Sequence, residues 1–368
     1  MNNNGVTGTL DTLIIGGGQA GLALGHYLKA QNRTFLIVDA SPRTGDAWRQ
    51  RWDSLRVFTP AKYDGLPGVP FPADPLSFPT KDDVAGYLEG YAARFGLPIL
   101  NGVRIDHLWR EDDRFVAASN GRRWGAHNVV VATGCSQAPN VPEFAAELDP
   151  AVLQLHSSEY RNLGQLQEGP VLVVGLGNSG AEIGLELSRS HPTVLAGKPG
   201  GEIPVKHGPT AARYFLPVVR FVGLHVLTLN NPIGRKAAPS FTAHAAPLIR
   251  TKSKDLAAAG VRLVPRVAGV QDGQPVLADG TRLEVSNVIW CTGFRDDFGW
   301  MDPAMLDGGA LPRQRRGVAL DTPGLFFLGQ EFMYAAASAT LPGASRDARY
   351  LVRRIPVPAH RESARAAT

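Results

Sequence analysis

The sequence predicts an α/β fold of two doubly wound units, one carried inside the other. Three observations predict it. An apolar strand, a glycine turn, a helix and a second apolar strand follow one another over residues 11–40. The same succession returns near residues 170–198. The second unit lies between two apolar strands that both end in Thr-Gly, VVVATG at 129–134 and VIWCTG at 288–293. Strand–turn–helix–strand is the repeating piece of a Rossmann-like sheet. The chain is therefore expected to hold two Rossmann-like dinucleotide-binding domains. The inner one is expected at 149–285, and the two parts of the outer one at 1–148 and 286–368.

In order along the chain, TLIIGGG is an apolar run ending in glycines. QAGLALGHYLKAQ has helical spacing, with Leu22, Leu24 and Leu28 free to be buried, and TFLIVD is a second buried strand. Residues 41–80 show no period. Thr80-Lys81-Asp82-Asp83 reads as a helix start that should run through Tyr87, Leu88 and Tyr91 to Gly96. VRIDHLW, a turn at Asp112-Asp113, RFVAAS and a hairpin signal at Asn120-Gly121 predict an antiparallel meander. Residues 135–150, with three prolines, read as a linker. One apolar helix is expected near 211–229. GLFFLGQ (324–330) reads as a last buried strand and ASRDARYLVRRI as part of a closing helix.

Composition sets limits. The chain of 368 residues can bury two cores, and 38 basic against 33 acidic residues give a net charge of +5. The arginines are scattered, which excludes nucleic acid as the expected partner. Cys135 and Cys291 stand in unrelated contexts with no C-x-x-C, against a zinc knuckle or redox disulphide and in keeping with a reducing cytoplasm. The nine histidines show no metal-ligand spacing, so no metal is expected, and His207, His225 and His244 read as surface or core residues. MNNNGVTGTL lacks the basic and apolar regions of a signal peptide, and a cytoplasmic protein is expected. Pro217, Arg220 and His225 interrupt the longest apolar stretch, 214–229, so no membrane span is expected. The sequence leaves a homodimer open.

The first glycine motif is Gly16-Gly17-Gly18-Gln19-Ala20-Gly21. Gly16 permits the tight turn, Gly18 lets the backbone approach a pyrophosphate, and Gly21 lets the helix pack on the strand. The helix N-terminus offers N–H groups and the positive end of its dipole. Asp39, at the end of the next strand, stands where a carboxylate would accept ribose hydroxyls. The second motif, Gly175-Leu176-Gly177-Asn178-Ser179-Gly180, has the same context, but its next strand ends in Ala196-Gly197-Lys198. A cation without an acid there favours a 2′-phosphate, so the second site leans to NADPH, with NADH also possible. Two such sites in sequence suit FAD and a nicotinamide passing hydride between them.

Further segments carry a family resemblance. Gly45-Asp46-Ala47-Trp48-Arg49, Leu55-Arg56-Val57-Phe58-Thr59-Pro60, FPTKDDVAGYLEGYAARFGL, VVVATG, His156-Ser157-Ser158-Glu159-Tyr160-Arg161, GLGNSG, VIWCTGF and GLFFLGQ…ASRDARYL together span nearly the whole chain. They resemble the class B flavin-dependent monooxygenases, especially small bacterial flavin-containing monooxygenases and plant indole-pyruvate monooxygenases. The resemblance implies FAD at Gly16, Gly18, Gln19, Ala20, Gly21, Asp39, Gly45, Trp48, Arg49, Thr133, Gly134 and Gly329. It implies NAD(P) at Gly175, Gly177, Asn178, Ser179, Gly180 and Lys198. Thr59, Pro60 and His156 are the candidates near the flavin.

Two departures stand out. In the family signature F-x-G-x-x-x-H-x-x-x-(F/Y), His156 and Tyr160 match, while Pro150 and Val152 replace Phe and Gly. Pro60 stands where many relatives carry an Asn. The implied activity moves one oxygen atom of dioxygen, through a flavin C4a-hydroperoxide, to a small organic substrate that is a soft nucleophile or a carbonyl. The alternatives are an NAD(P)H oxidase or reductase without oxygen transfer, and a flavin-binding sensor that is not an enzyme. Tyr214, Phe215, Phe221 and Leu224 are expected either to line a substrate route or simply to pack a helix.

Overall fold

The computed structural model describes residues 9–243, 246–308 and 311–357. It opens on β1, Leu10–Ile15, buried along its whole length. Helix α1, Gln19–Ala30, packs Leu22, Leu24 and Leu28 wholly out of water, each contributing about 1.5–3 kcal/mol. β2, Phe35–Asp39, pairs parallel with β1. A short α2, Asp46–Arg49, precedes α3, Lys81–Arg94. The hydroxyl of Thr80 accepts the Asp83 N–H and the Asp83 carboxylate accepts that of Thr80, a reciprocal cap that fixes where α3 starts.

β3, Ile99–Asn101, pairs parallel with β2. β4, His107–Glu111, β5, Arg114–Ser119, and β6, Arg122–Val131, form the expected meander, with Asp112, Asn120 and Gly121 at positive φ in its turns. The first half of β6 pairs antiparallel with β5 and its second half parallel with β1.

β7, Ala138–Pro139, leads to β8, Leu153–His156, and β9, Val171–Val174. Next come α4, Asn178–Leu187, and β10, Thr193–Ala196. The expected single helix at 211–229 is instead α5, Pro209–Tyr214, α6, Leu216–Phe221, and a π-helical turn, Val222–Val226. Pro217 lacks the N–H that would continue α5, so the helix restarts around it. α7, Pro232–Ala243, α8, Ser253–Ala258, β11, Arg262–Val264, and the hairpin of β12, Val267–Gln271, with β13, Gln274–Leu277, follow. β14, Asn287–Trp290, and β15, Phe294–Arg295, precede β16, Gln314–Arg315, β17, Val318–Ala319, and β18, Leu325–Phe327. The described helices end with α9, Leu341–Leu351.

The first sheet runs β16-β17-β18-β6-β1-β2-β3, and β5 also pairs with β6. The second runs β11-β10-β9-β14-β8, all parallel. A boundary at 285/286 would assign β14 to the outer domain. Instead β14 lies between β9 and β8, its four residues buried, because an apolar run needs cover on both faces. β7 and β15, from the two connections between the sheets, pair with each other.

Candidate active site

The two glycine turns obey the same sterics. Gly16 (φ +115°) and Gly175 (φ +108°) adopt backbone that L side chains avoid. A Cβ on either would overlap a carbonyl oxygen, that of Ala132 or Cys291. A Cβ on Gly21 would strike the Gly16 carbonyl, and one on Gly180 the Gly175 carbonyl, so these two glycines seat each helix on its strand. Gly18 differs. It precedes α1 in extended backbone, and a Cβ there would meet nothing within 4 Å. No side chain caps α1 at Gly18 or α4 at Gly177. The leading N–H groups of both helices are left for a ligand.

Both helix N-termini border one cavity of about 580 Å³. From the first unit it is lined by Gly16, Gly18, Gln19 and Ala20, by Asp39 and Trp48, and by Thr133, Gly134 and Gly329 at the ends of β6 and β18. From the second it takes Asn178, Ser179 and Glu182. Asp39 is fixed by two backbone donors: Gly17 N–H to Oδ2 at 2.5 Å and Ser41 N–H to Oδ1 at 2.7 Å. Trp48 Nε1 donates to Gln19 Oε1 at 3.3 Å. Asn178 holds the 247–249 segment, donating to Pro247 O at 3.0 Å and accepting Ile249 N–H at 2.9 Å.

Other expected site residues lie off this cavity. Gly45 turns into α2 at φ +90° with its backbone against Ala85. Arg49 is spent on Thr44 O, Asp46 and Glu89 at 2.8, 2.9 and 2.5 Å. Gly175, Gly177 and Gly180 shape the turn without lining it, and Lys198 is exposed past β10. Thr59 donates its hydroxyl to Asp64, a carboxyl with no exposure that burial pushes up to about 7. Pro60 is buried beside Thr59. His156 is 2% exposed: Nε2 donates to Gly293 O at 3.0 Å, and Nδ1 accepts from Ser158 N–H at 3.2 Å. Burial lowers its pKa, so it is a neutral imidazole tying β8 to the chain after β14. Neither Tyr214, Phe215, Phe221 nor Leu224 lines this cavity, and only Leu224 is buried. His244 lies outside the described residues.

The cavity also holds residues that motif reading missed, chiefly Arg51, Gln137, Glu182 and Trp300. Glu182 stands one helical turn beyond Asn178, so its place was recoverable from the i, i+4 spacing. Nothing in the sequence marks Arg51, whose guanidinium lies 5.6 Å from the Phe294 ring and is held below its ordinary pKa by burial. Burial pushes Glu182 up to about 7 against the pull of Arg250, 2.9 Å away. Arg250 also donates to the Arg56 and Val57 carbonyls and lies over the Phe58 ring, bolting α4 to the first unit. Both cysteines are free, and no group of three His, Cys, Asp or Glu among the described residues could hold a metal. No described helix is long and apolar enough to cross a membrane.

Comparison with known proteins shows the family of this chain. Residues 13–208 match the family described as pyridine nucleotide-disulphide oxidoreductase. An uncharacterized CzcO-like oxidoreductase of Geobacillus kaustophilus is 39% identical, over 93% of this chain and 97% of its own. Indole-3-pyruvate monooxygenase YUCCA8 of Oryza sativa is 30% identical, over 77% of this chain and 76% of its own. The solved flavin-containing monooxygenase of Stenotrophomonas maltophilia superposes with a TM-score of 0.76 at 29% identity, covering 94% of this chain and 98% of that one. The chain thus belongs to the pyridine nucleotide-disulphide oxidoreductase family. It is an enzyme, a flavoprotein oxidoreductase whose relatives include flavin-dependent monooxygenases.

Proposed function

We propose that the enzyme is an FAD- and NADPH-dependent monooxygenase. It transfers one oxygen atom of dioxygen to a small organic substrate, a soft nucleophile such as a sulfide or amine, or a carbonyl carbon. One observation carries this reading: two uncapped glycine turns from separate sheets open on a single cavity. The open space at Gly18 fits a pyrophosphate, and Asp39 fits a ribose hydroxyl. FAD is assigned to Gly16, Gly18, Gln19, Ala20, Asp39, Trp48, Thr133, Gly134 and Gly329, with Gly21 holding the turn. NADPH is assigned to the second turn, with Asn178 and Ser179 at its mouth and Lys198 toward a 2′-phosphate. The flavin unit spans 1–148 and the C-terminal part, and the nucleotide unit extends from 149 through Trp290.

When bound, FAD would supply the redox chemistry and oxygen activation, and NADPH the reducing equivalents. The protein's own share is placement and exclusion of water. The backbone N–H groups of α1 and α4 bind phosphates, Asp39 orients a ribose, and the Arg250 bolt holds the second turn against the first unit. With its pKa about 7, the Glu182 carboxyl holds or releases a proton at the cavity wall near neutral pH.

A second reading, an NAD(P)H oxidase or reductase without oxygen transfer, draws on Pro150 and Val152 in the altered signature and on the position of Thr59 and Pro60 off the cavity. Turnover with a dialkyl sulfide under labelled dioxygen separates the two. Monooxygenation puts one labelled atom in the sulfoxide for each NADPH consumed. Release of all the label as peroxide and water, across sulfides, amines and ketones, rejects it. The free cysteines are in keeping with a reducing cytoplasmic setting.

A further inference from the structure

Residues 203–254 contain no Asp or Glu, yet carry Lys206, Arg213, Arg220, Arg235, Lys236 and Lys254, besides Arg250, which pairs with Glu182, and Lys252, which is buried against the Ile203 and Val205 carbonyls. The same segment is unusually apolar on its outside. Of nine exposed large hydrophobic residues among the described residues, six lie between 214 and 241: Tyr214, Val218, Val219, Phe221, Ile233 and Phe241. Tyr214 is 70% exposed, and Val218 and Phe221 are each 58% exposed. Val218 and Phe221, i and i+3 on α6, share one outward stripe, and Tyr214 at the end of α5 is exposed next to it in sequence. His225 continues it, its ring 5.0 Å from that of Phe221. Arg213 and Arg220 flank the stripe, both exposed. The inner side of the segment is occupied: Ala212 O accepts from Lys62 Nζ, Leu224 O accepts from Arg346, and Leu224 is buried. The apolar face turned outward is thus not the one that packs on the protein.

We propose that α5, α6 and the π-helical turn form a monotopic docking face for a membrane surface rich in anionic lipid. Tyr214, Val218 and Phe221 would enter the headgroup boundary, while Arg213 and Arg220 meet lipid phosphates. Charge complementarity selects this occupant. A second copy of the chain would set the same basic segment against itself, which like charge opposes. An acid-free, basic segment with an apolar stripe is the composition that interfacial helices use on anionic bilayers. The face does not span the bilayer, consistent with the lack of any described membrane-crossing helix.

Flotation of the full-length, FAD-loaded protein with vesicles tests this. The vesicles are phosphatidylcholine alone, or phosphatidylcholine with phosphatidylglycerol. The protein should float with the phosphatidylglycerol vesicles at low salt, be released at high salt, and ignore pure phosphatidylcholine. Each arginine should be worth about five-fold in affinity, so Arg213→Gln with Arg220→Gln should weaken binding by ten-fold or more. Val218→Ser with Phe221→Ser should abolish flotation while flavin content and melting temperature in solution stay unchanged. The proposal fails if the protein ignores anionic vesicles at low salt, or if both double variants float like the wild type. It also fails if the protein sediments as a dimer that Val218→Ser with Phe221→Ser dissociates.

Discussion

A side chain added at Gly18 would project into open space, from backbone at φ −75° that any residue adopts. The fold therefore does not require this glycine, and on the proposed reading the cofactor does. Gly18→Val should purify folded and colourless, with a melting temperature close to that of wild-type apoprotein. Tightly bound FAD in that variant would remove the first turn from the site. Gly21→Ala is the opposite case, because its Cβ strikes the Gly16 carbonyl and the helix must shift. Asp64 shows a residue-scale effect that no motif announces: burial holds its folded pKa about 7 against an ordinary value of 3.8. Below about pH 4 both folded and unfolded chains carry the proton, and no cost arises. Between pH 4 and 7 the unfolded chain loses it first, so stability falls as pH rises, by at most about 4 kcal/mol. Asp64→Asn should flatten that fall in denaturant titrations across pH 4–8, and an unchanged slope would contradict the burial argument.

At the scale of elements, strands and caps were legible because their signals are local. The apolar runs at 10–15 and 171–174, the cap at Thr80 and the Asn120-Gly121 turn all lie where their residue chemistry puts them. The 211–229 region was less so: Pro217 was visible as a break in the apolar stretch, but hydropathy does not reveal where each helix then starts and ends or which face ends outside. The Arg250 bolt was also hidden, joining positions far apart in sequence. Removing Arg250 leaves Glu182 buried without its counter-charge, which should cost about 3 kcal/mol. The remaining carboxyl should then titrate higher still, so Arg250→Ala should lose more stability at pH 8 than at pH 6. An equal loss at both pH values would show that Glu182 does not sense Arg250.

At the scale of the whole molecule, two sheets were foreseeable from two repeated motifs, but the meeting of their helix ends on one cavity was not. The sequence places Gly18 and Asn178 far apart, and only the fold sets them on common walls. The strand at 287–290 was misassigned for a related reason: an apolar run does not say which sheet it joins. Lys198, exposed at the end of β10, should give a modest preference for NADPH, because solvent screens its charge. Lys198→Ala should raise the NADPH KM about two- to five-fold and leave that for NADH nearly unchanged. Equal changes would show that it does not read the phosphate.

The central claim is that the two turns serve one reaction, and anaerobic mixing of the FAD-loaded enzyme with NADPH tests it most directly. Bleaching of the flavin's visible band should be rapid in the wild type. In Gly177→Val the flavin should stay fully bound while bleaching slows by orders of magnitude at low NADPH. An unchanged bleaching rate in that variant would contradict the claim, since hydride would then reach the flavin without the second turn.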